Sequence, residues 1–491
     1  MSQRSREQLS RRDVLTGLGA ALGAAALGCG GSDVDADDPD ASAGGVDASR
    51  IDASAPDANP AALCNQPAEL SPVELLAHID TFVVLCMENR SFDHYLGSLS
   101  LIEGRSDIVG LTGNESNPTS NGAQAGIYQL DTFTPGDPPH SWDECHAQWN
   151  NGANDGFVRE YGDNAEAMGY YVREQLPQLY ALADGGAVCN HWYAPILGPT
   201  WPTRYYLHGA DAHGRTTNAV PIANFQNIFE LLDDAGISNT NYFHDVAWAT
   251  GGYFKFSGNQ GVENFFEQAK NGSLPQYSLI DPKFVGAGAN DDHPEHDVRL
   301  GQALIGSVVA ALAQSPHWNR CMFVLTYDEH GGFFDHVPPP TTVDEREEFR
   351  QLGIRVPSLV VGPTVRRGCA IDAVFEHTSV ISTLTERFGL PVINDRVAAT
   401  NDLSQCIDPA LIDDPQPPPV LPPVNVSWRD IENWPKVDAH PDIDQAMERV
   451  RRSGRLSTAQ LRELDRRDRD LEVTRAWLAH AERLGAVRLG D

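Results

Sequence analysis

The residues best equipped for chemistry stand in two acidic motifs, Glu88-Asn89-Arg90-Ser91-Phe92-Asp93 and Asp328-Glu329-His330-Gly331-Gly332, each directly after an apolar run. The runs, 81–87 and 321–327, read as buried strands. Oxygen donors at equivalent ends of two such strands would converge on one hard cation, and Ca, Mg, Mn, Fe and Zn all accept that donor set. The spacing predicts a divalent metal held by Glu88, Asn89, Asp328 and Glu329. The other use of these residues, as loop caps or salt-bridge partners, gives no reason for apolar strands to run straight into adjacent acids. A nucleophile is then needed within reach. Gly198-Pro199-Thr200-Trp201-Pro202-Thr203-Arg204 reads as a turn opening a helix, with Thr200 at or near the N-cap. There its hydroxyl meets free backbone amides and the positive end of the helix dipole, which favour an alkoxide and a bound phosphate. A threonine at that place also serves as a plain cap. Thr203 lies inside the first turn and points elsewhere.

These residues need a frame. Between about 73 and 405, short apolar runs alternate with amphipathic stretches. A third strand is expected at 356–361, and helices at 226–235, 300–313 and 378–388. Uniformly apolar strands alternating with helices predict an α/β fold, a mostly parallel central sheet flanked by helices on both faces. Such sheets bind ligands at the carboxyl ends of their strands, where both acidic motifs fall. Six prolines within 414–423 predict a stiff extended spacer, and 440–486, rich in Arg, Glu and Leu, a small helical appendage. The resulting division is 1–29 signal, 30–70 acidic linker, 71–408 catalytic domain, 409–426 proline-rich linker and 427–491 helical segment.

The chain has 491 residues, 36 Lys+Arg and 68 Asp+Glu, for a net charge of −32. That balance argues against nucleic acid as the natural ligand, since phosphate neutralisation needs clustered bases. The only long apolar run, 14–28, is too short to span a bilayer. Arg11-Arg12 precedes it and Leu27-Gly28-Cys29 closes it, the parts of a twin-arginine export signal ending in a lipobox. Two ends are open: lipidation of Cys29 and anchoring in the cell envelope, or cleavage without lipid and secretion. The twin-arginine machinery carries folded proteins, which suits a chain loaded with metal beforehand. Residues 32–60 hold eight aspartates and almost no large apolar side chain, and read as a self-repelling tether. Removing Cys29 from eight cysteines leaves seven, so at least one thiol stays free, and Cys86 within its apolar strand is the candidate.

Taken together, the two acidic motifs, Gly198-Pro199-Thr200, Asp291-Asp292-His293-Pro294, Phe333-Phe334-Asp335-His336 and Glu376-His377-Thr378-Ser379 resemble the bacterial phosphoesterase family of non-specific phospholipases C and acid phosphatase-type enzymes. The resemblance spans roughly 80–390 and leaves out the linker and the tail. It implies an alkaline-phosphatase-like fold, metal ligation by Glu88, Asn89, Thr200, Asp328 and Glu329, and Thr200 as nucleophile. It also implies that histidines line the phosphate site, where they would bind equatorial oxygens or protonate the leaving alkoxide. His293 ranks first as catalytic partner, followed by His140, His244 and His377, which with Asp292 are counted as substrate-binding. The 149–155 loop would shape the pocket. A choline cage would draw on Trp149, Trp192, Tyr193 and Trp201. The expected reaction is two in-line displacements through a phosphothreonine, with net retention at phosphorus. The expected substrate is a phospholipid diester, the alternatives being a phosphomonoester or, in another class, no catalysis at all in a metal-binding envelope lipoprotein.

Overall fold

A computed structural model describes residues 64–65, 69–219, 225–433, 439–469 and 471–490. Cys29, the twin-arginine signal and the acidic tether lie outside the described residues. Eight strands form the main sheet: β1 (Thr81–Met87), β2 (Ala187–Tyr193), β3 (Asn239–Phe243), β4 (Asn259–Gly261), β5 (Tyr277–Asp281), β6 (Cys321–Tyr327), β7 (Leu359–Val361) and β8 (Cys369–Glu376). Their order is β8-β2-β7-β6-β1-β5-β3-β4. The two apolar runs that precede the acidic motifs are central parallel neighbours, paired from Thr81–Cys321 to Met87–Tyr327. Both are buried along their whole length, which explains why they carry no alternation.

One strand departs from the parallel set. The expected strand at 356–361 shortens to β7, which runs antiparallel to β6 and β2. Pro357 cannot donate to a ladder, which trims the start. The connection from β6 holds only a single 3-10 turn, Glu347–Phe349, and no crossover helix, so the chain returns beside β6 in the opposite direction.

Between and after these strands the chain forms helices α1 (Trp142–Trp149), α2 (Thr200–Gly209), α3 (Ile228–Asp234), α4 (Val298–Ala313) and α5 (Thr378–Phe388). Asn227 and Asp297 cap α3 and α4 through side-chain oxygens, setting starts two residues away from the expected 226 and 300. Helix α5 has the expected bounds and stops at Gly389, whose φ of 63° is left-handed.

The C-terminal segment differs most from expectation. Helices α6 (Pro441–Arg452), α7 (Thr458–Arg469) and α8 (Leu471–Arg483) are joined by a parallel pair of strands, β9 (Val424–Ser427) and β10 (Val487–Gly490), so the segment is not purely helical. Nor does it stand apart. Ile443, Ala446, Met447 and Val450, spaced i, i+3, i+4, i+7, bury one face of α6 in a cluster with Trp201, Trp248 and Phe284. The proline-rich stretch is laid on the core, where the Gln416 carbonyl accepts from Trp318 Nε1 at 2.9 Å.

Cys64 is joined to Cys369 on β8, and Cys86, Cys145, Cys189, Cys321 and Cys406 are free and buried. Cys86 is thus one of five free thiols among the described residues. No described helix is long and apolar enough to cross a membrane.

His94 is buried with both ring nitrogens committed: Nε2 faces Arg90 Nη1 at 3.1 Å, and Nδ1 meets the Gly169 carbonyl at 2.7 Å. Arginine only donates, so Nε2 is an acceptor and the ring neutral. Burial first, and then the Arg90 charge, hold its pKa well below the ordinary 6.5. Below pH 6.5 the unfolded chain therefore binds a proton that the folded chain refuses, and stability is lost as pH falls. His94→Gln should flatten the pH dependence of the unfolding free energy between about pH 6.5 and 5 by up to about 1.4 kcal/mol per pH unit. Chemical denaturation across that range checks it, and an unchanged slope would contradict it.

Candidate active site

The parallel register of β1 and β6 carries straight into the site. Asp328 N donates to the Met87 carbonyl at 3.0 Å, and Glu88 N to the Asp291 carbonyl at 2.8 Å, so Glu88 and Asp328 emerge side by side at the strand ends and the loop after β5 brings Asp291 next to them. The chain then folds Asn89 back into the middle: its φ is 59°, a left-handed value that asparagine tolerates, and its N–H donates to Asp328 Oδ1 at 2.9 Å. A Cβ on Gly331, at φ 62°, would sit 2.1 Å from the Asn89 carbonyl, so only glycine lets the second motif wrap the first.

Thr200 is the first residue of α2, with Pro199 as N-cap. Its Oγ lies 3.2 Å from Glu88 Oε2 and 3.3 Å from Asn89 Oδ1. The Thr203 hydroxyl turns back to the Thr200 carbonyl at 2.8 Å, away from the cluster. Arg204 stands one turn after Thr200 on the same helical face. It is fully buried, pairs with Glu88 Oε1 through Nε at 2.8 Å, and lies 3.7 Å from both Asp281 and Asp328. Three buried carboxylates, Glu88, Asp281 and Asp328, thus share one guanidinium, a formal excess of two negative charges before Glu329 and the histidines are counted. Burial, followed by the charges of Asp328 and Asp291, pushes the Glu88 carboxyl well above the usual carboxylate range, although Arg204 pulls it down.

The Asn89 amide tests whether this cluster suits a cation. One terminal atom lies 3.0–3.3 Å from Glu88 Oε2, Thr200 Oγ, Asp328 Oδ1 and Glu329 Oε1, and the other lies 2.9 Å from His293 Nε2. If the amide nitrogen faced the four oxygens, the oxygen would need a proton from His293 Nε2. But His293 Nδ1 meets the Pro294 carbonyl at 3.0 Å and must carry the hydrogen there. Burial, and then His440 and His140, hold the His293 pKa well below ordinary, so the ring is neutral and Nε2 is an acceptor. The amide nitrogen therefore donates to His293 and the amide oxygen joins the other four. Five oxygens at such spacing repel unless a cation lies among them, and about 3 Å separates neighbouring oxygens around a small octahedral cation. The donor set fits a divalent metal.

The remaining sequence candidates fall in different places. His140 joins the cluster, with Nε2 3.4 Å from Asn89 Nδ2 and Nδ1 3.8 Å from Glu329 Oε1. Burial opposes its charged form, but Glu329 and Asp137 outweigh it and raise its pKa. His140 and its neighbour Asp137 have side chains 16% and 39% exposed, so this edge of the cluster lies nearest to solvent. His377 lies behind Asp328, donating Nε2–H to its carbonyl at 2.7 Å while Nδ1 accepts from Trp192, and burial lowers its pKa to about 4. His244 is not brought to the cluster; it meets Asn290 at 2.9 Å and packs on Trp477. Asp292 is turned away by its φ of 72° and accepts from the Tyr327 hydroxyl at 2.7 Å, with burial raising its pKa to about 7. Trp192 packs on Phe375 and Trp201 on Trp248, so among the described residues no ring contact gathers the four aromatics of a choline cage. In the 149–155 loop, the half-buried Asp155 accepts from Asn150 and Arg159.

Sequence reasoning assigned no role to Arg204, Asp291, His296 or His440. The i, i+4 spacing from Thr200 would have flagged Arg204; nothing in the tail flags His440. Asp291 accepts from His296 Nδ1 at 2.6 Å and His440 Nε2 at 2.7 Å, and against the cost of burial these two hold its pKa well below the usual range. Two other Asp/His groups have ligand atoms within 4.8 Å of one another, Asp137-His140-His293 and Asp93-Asp335-His336, but Arg355 already pairs with both acids of the latter.

Residues 79–391 match the phosphoesterase family. The chain belongs to that family. It is 33% identical over 372 residues to non-specific phospholipase C1 of Arabidopsis thaliana, an alignment covering 65% of this chain and 68% of the relative. It is 32% identical over 397 residues to phospholipase C B of Mycobacterium tuberculosis, covering 65% and 75%. Solved structures similar to it include a protein in the alkaline phosphatase superfamily from Vibrio parahaemolyticus, at 13% identity and a TM-score of 0.37 over 66% of this chain and 70% of that one. As a phosphoesterase it is a hydrolase of ester bonds.

If the oxygens hold a cation, Asp328→Asn should weaken binding of a divalent ion at least about tenfold in calorimetric titration of metal-stripped protein, since a charge is lost with little change in shape. Equal affinity would show that the cluster is not the site.

Proposed function

We propose that this phosphoesterase cleaves the phosphodiester of phospholipids on the glycerol side, through a covalent intermediate on Thr200. The observation that carries the reading is the seating of the Thr200 hydroxyl, at a helix N-terminus and 3.2 Å from Glu88, inside a buried oxygen cluster with the partly exposed His140 beside it. Pro199, not the threonine, is the N-cap of α2, and the Thr200 hydroxyl is turned to Glu88 and Asn89. A divalent cation among Glu88, Asn89, Thr200, Asp328 and Glu329 would supply the positive charge that favours the Thr200 alkoxide and the phosphoryl oxygens.

The side chains then divide the work. Thr200 directs its proton at Glu88 Oε2, and its oxygen attacks phosphorus. The bond from phosphorus to the diacylglycerol oxygen breaks, and that oxygen takes a proton. His140 is better suited to donate it than His293: nearby carboxylates favour the charged form of His140, whereas His293 is neutral with a lone pair on Nε2. His293 instead holds the Asn89 amide. In the second step water attacks phosphorus and gives its proton to His140, the bond from phosphorus to Thr200 Oγ breaks, the phosphoryl head group leaves, and Thr200 takes back its proton from Glu88. Arg204 keeps Glu88 in place throughout, with no access to substrate. The relatives named phospholipase C favour a diester over a monoester as substrate.

We also infer export and lipid anchoring at Cys29, which would place the enzyme at a membrane where phospholipid is available. The sequence Leu27-Gly28-Cys29 behind paired arginines supports this, and so does the Cys64–Cys369 disulfide, because such bonds persist in oxidising compartments.

Purified enzyme should hydrolyse phosphatidyl diesters faster than phosphomonoesters; the reverse order would make it a monoesterase. Thr200→Ala should lower kcat by at least about a thousandfold, and Thr200→Ser should keep part of the activity, because only a methyl group is lost. Acid-quenched enzyme analysed by mass spectrometry should carry its phosphoryl adduct on Thr200, and an adduct elsewhere would refute the mechanism. For localisation, Cys29→Ala should move the protein from the membrane to the soluble fraction, and unchanged membrane retention would exclude the anchor.

A further inference from the structure

The family match ends at 391, yet one buried ring of the site comes from far beyond it. His440 stands immediately before α6, 149 positions after Asp291, and is 3% exposed. Its Nε2 donates to Asp291 Oδ2 at 2.7 Å, while its ring meets that of His293 edge to face with centroids 4.4 Å apart. Asp291 in turn governs the loop that carries His293. Its Oδ1 accepts from His296 Nδ1 at 2.6 Å and from the His293 backbone N–H at 3.1 Å, and its carbonyl accepts from Glu88 N at 2.8 Å. A single carboxylate thus ties together the base of the first acidic motif, the His293 loop and the tail.

The tail is fixed well enough to act through that contact. The apolar face of α6 packs on Trp201 and Trp248, and Trp201 Nε1 donates to Asp442. Trp201 directly follows Thr200, so the same helix braces the start of α2. Further along, Trp477 packs on His244 and donates to Ser307 of α4.

We propose that His440 is a positioning residue of the active site, delivered by the C-terminal segment, which holds Asp291 and the His293 ring where Asn89 requires them. This deepens the phosphodiesterase reading and rests on it. His440 touches no reacting atom. It acts by keeping the His293 Nε2 lone pair aimed at the Asn89 amide, and through that amide it keeps the oxygen cluster closed around Thr200. Loss of such aim is felt in the chemical step more than in substrate capture.

The test is steady-state kinetics of the full chain on a soluble diester, bis(p-nitrophenyl) phosphate, with circular dichroism to confirm folding. His440→Ala should lower kcat about a hundredfold with KM within about threefold of wild type, and His440→Gln, whose amide N–H can still donate to Asp291, should recover at least about tenfold of that loss. The proposal is overturned if the folded alanine variant keeps kcat within about threefold, or if the loss appears in KM instead. Should the alanine variant fail to fold, the glutamine variant decides: kcat within about tenfold of wild type supports positioning, and a loss of about a hundredfold or more refutes it. Wild-type enzyme inactive on every phosphoester would sink the functional reading itself, whereas active wild type with indifferent His440 variants would sink only this proposal.

Discussion

Everything at the mouth of this sheet answers to uncompensated negative charge. Glu88, Asp328 and Glu329 are buried where water cannot solvate them, and one guanidinium is within reach. An isolated buried carboxylate is expensive, and it is kept only when paired, protonated or bound to metal. Arg204 supplies the first remedy for one Glu88 oxygen. For the remaining oxygens the Asn89 amide is consistent with a bound cation, because its neighbour His293 is tautomerically fixed by a backbone carbonyl and leaves the amide oxygen turned toward them. The positions of Thr200, Asn89 and His293 thus follow from one electrostatic requirement, and the helix dipole at Thr200 acts in the same direction.

Much of this was legible in the sequence, for a definite reason. A buried parallel strand must be apolar on both faces, so its end is marked by the first charged residue. Two such ends, Met87-Glu88 and Tyr327-Asp328, are register partners in the sheet. The Gly-Pro-Thr turn likewise announces a helix start. What the sequence hides is direction. Asp291 and Asp292 are indistinguishable as letters, and only the left-handed backbone at Asp292 sends one carboxylate to the histidines and the other to Tyr327. The ranking of His293 over His140 rested on acidic neighbours in sequence, while charge state depends on neighbours in space, and Glu329 stands beside His140.

The shortness and antiparallel direction of β7, and the strands of the tail, escape the sequence for a related reason. Three or four residues of strand carry too little pattern to be told from loop, and β9 pairs with a partner some sixty positions away. Amphipathic spacing did reveal helix in the tail, but spacing says nothing about what an apolar face will cover.

That last point separates the family boundary from the physical one. A sequence match records where residue patterns persist, and the match here stops after α5. The core does not stop there. Trp201 and Trp248 are buried partly by Ile443, Ala446, Met447 and Val450, and fully burying such a side chain contributes about 1.5–3 kcal/mol. Removing α6 would therefore expose aromatic surface next to the nucleophile and leave Asp291 without one of its two histidine partners. The unit that can hold the oxygen cluster closed is larger than the unit that the family pattern delimits, and the proline-rich stretch, laid along the core, is the strap that brings its last part back to the site.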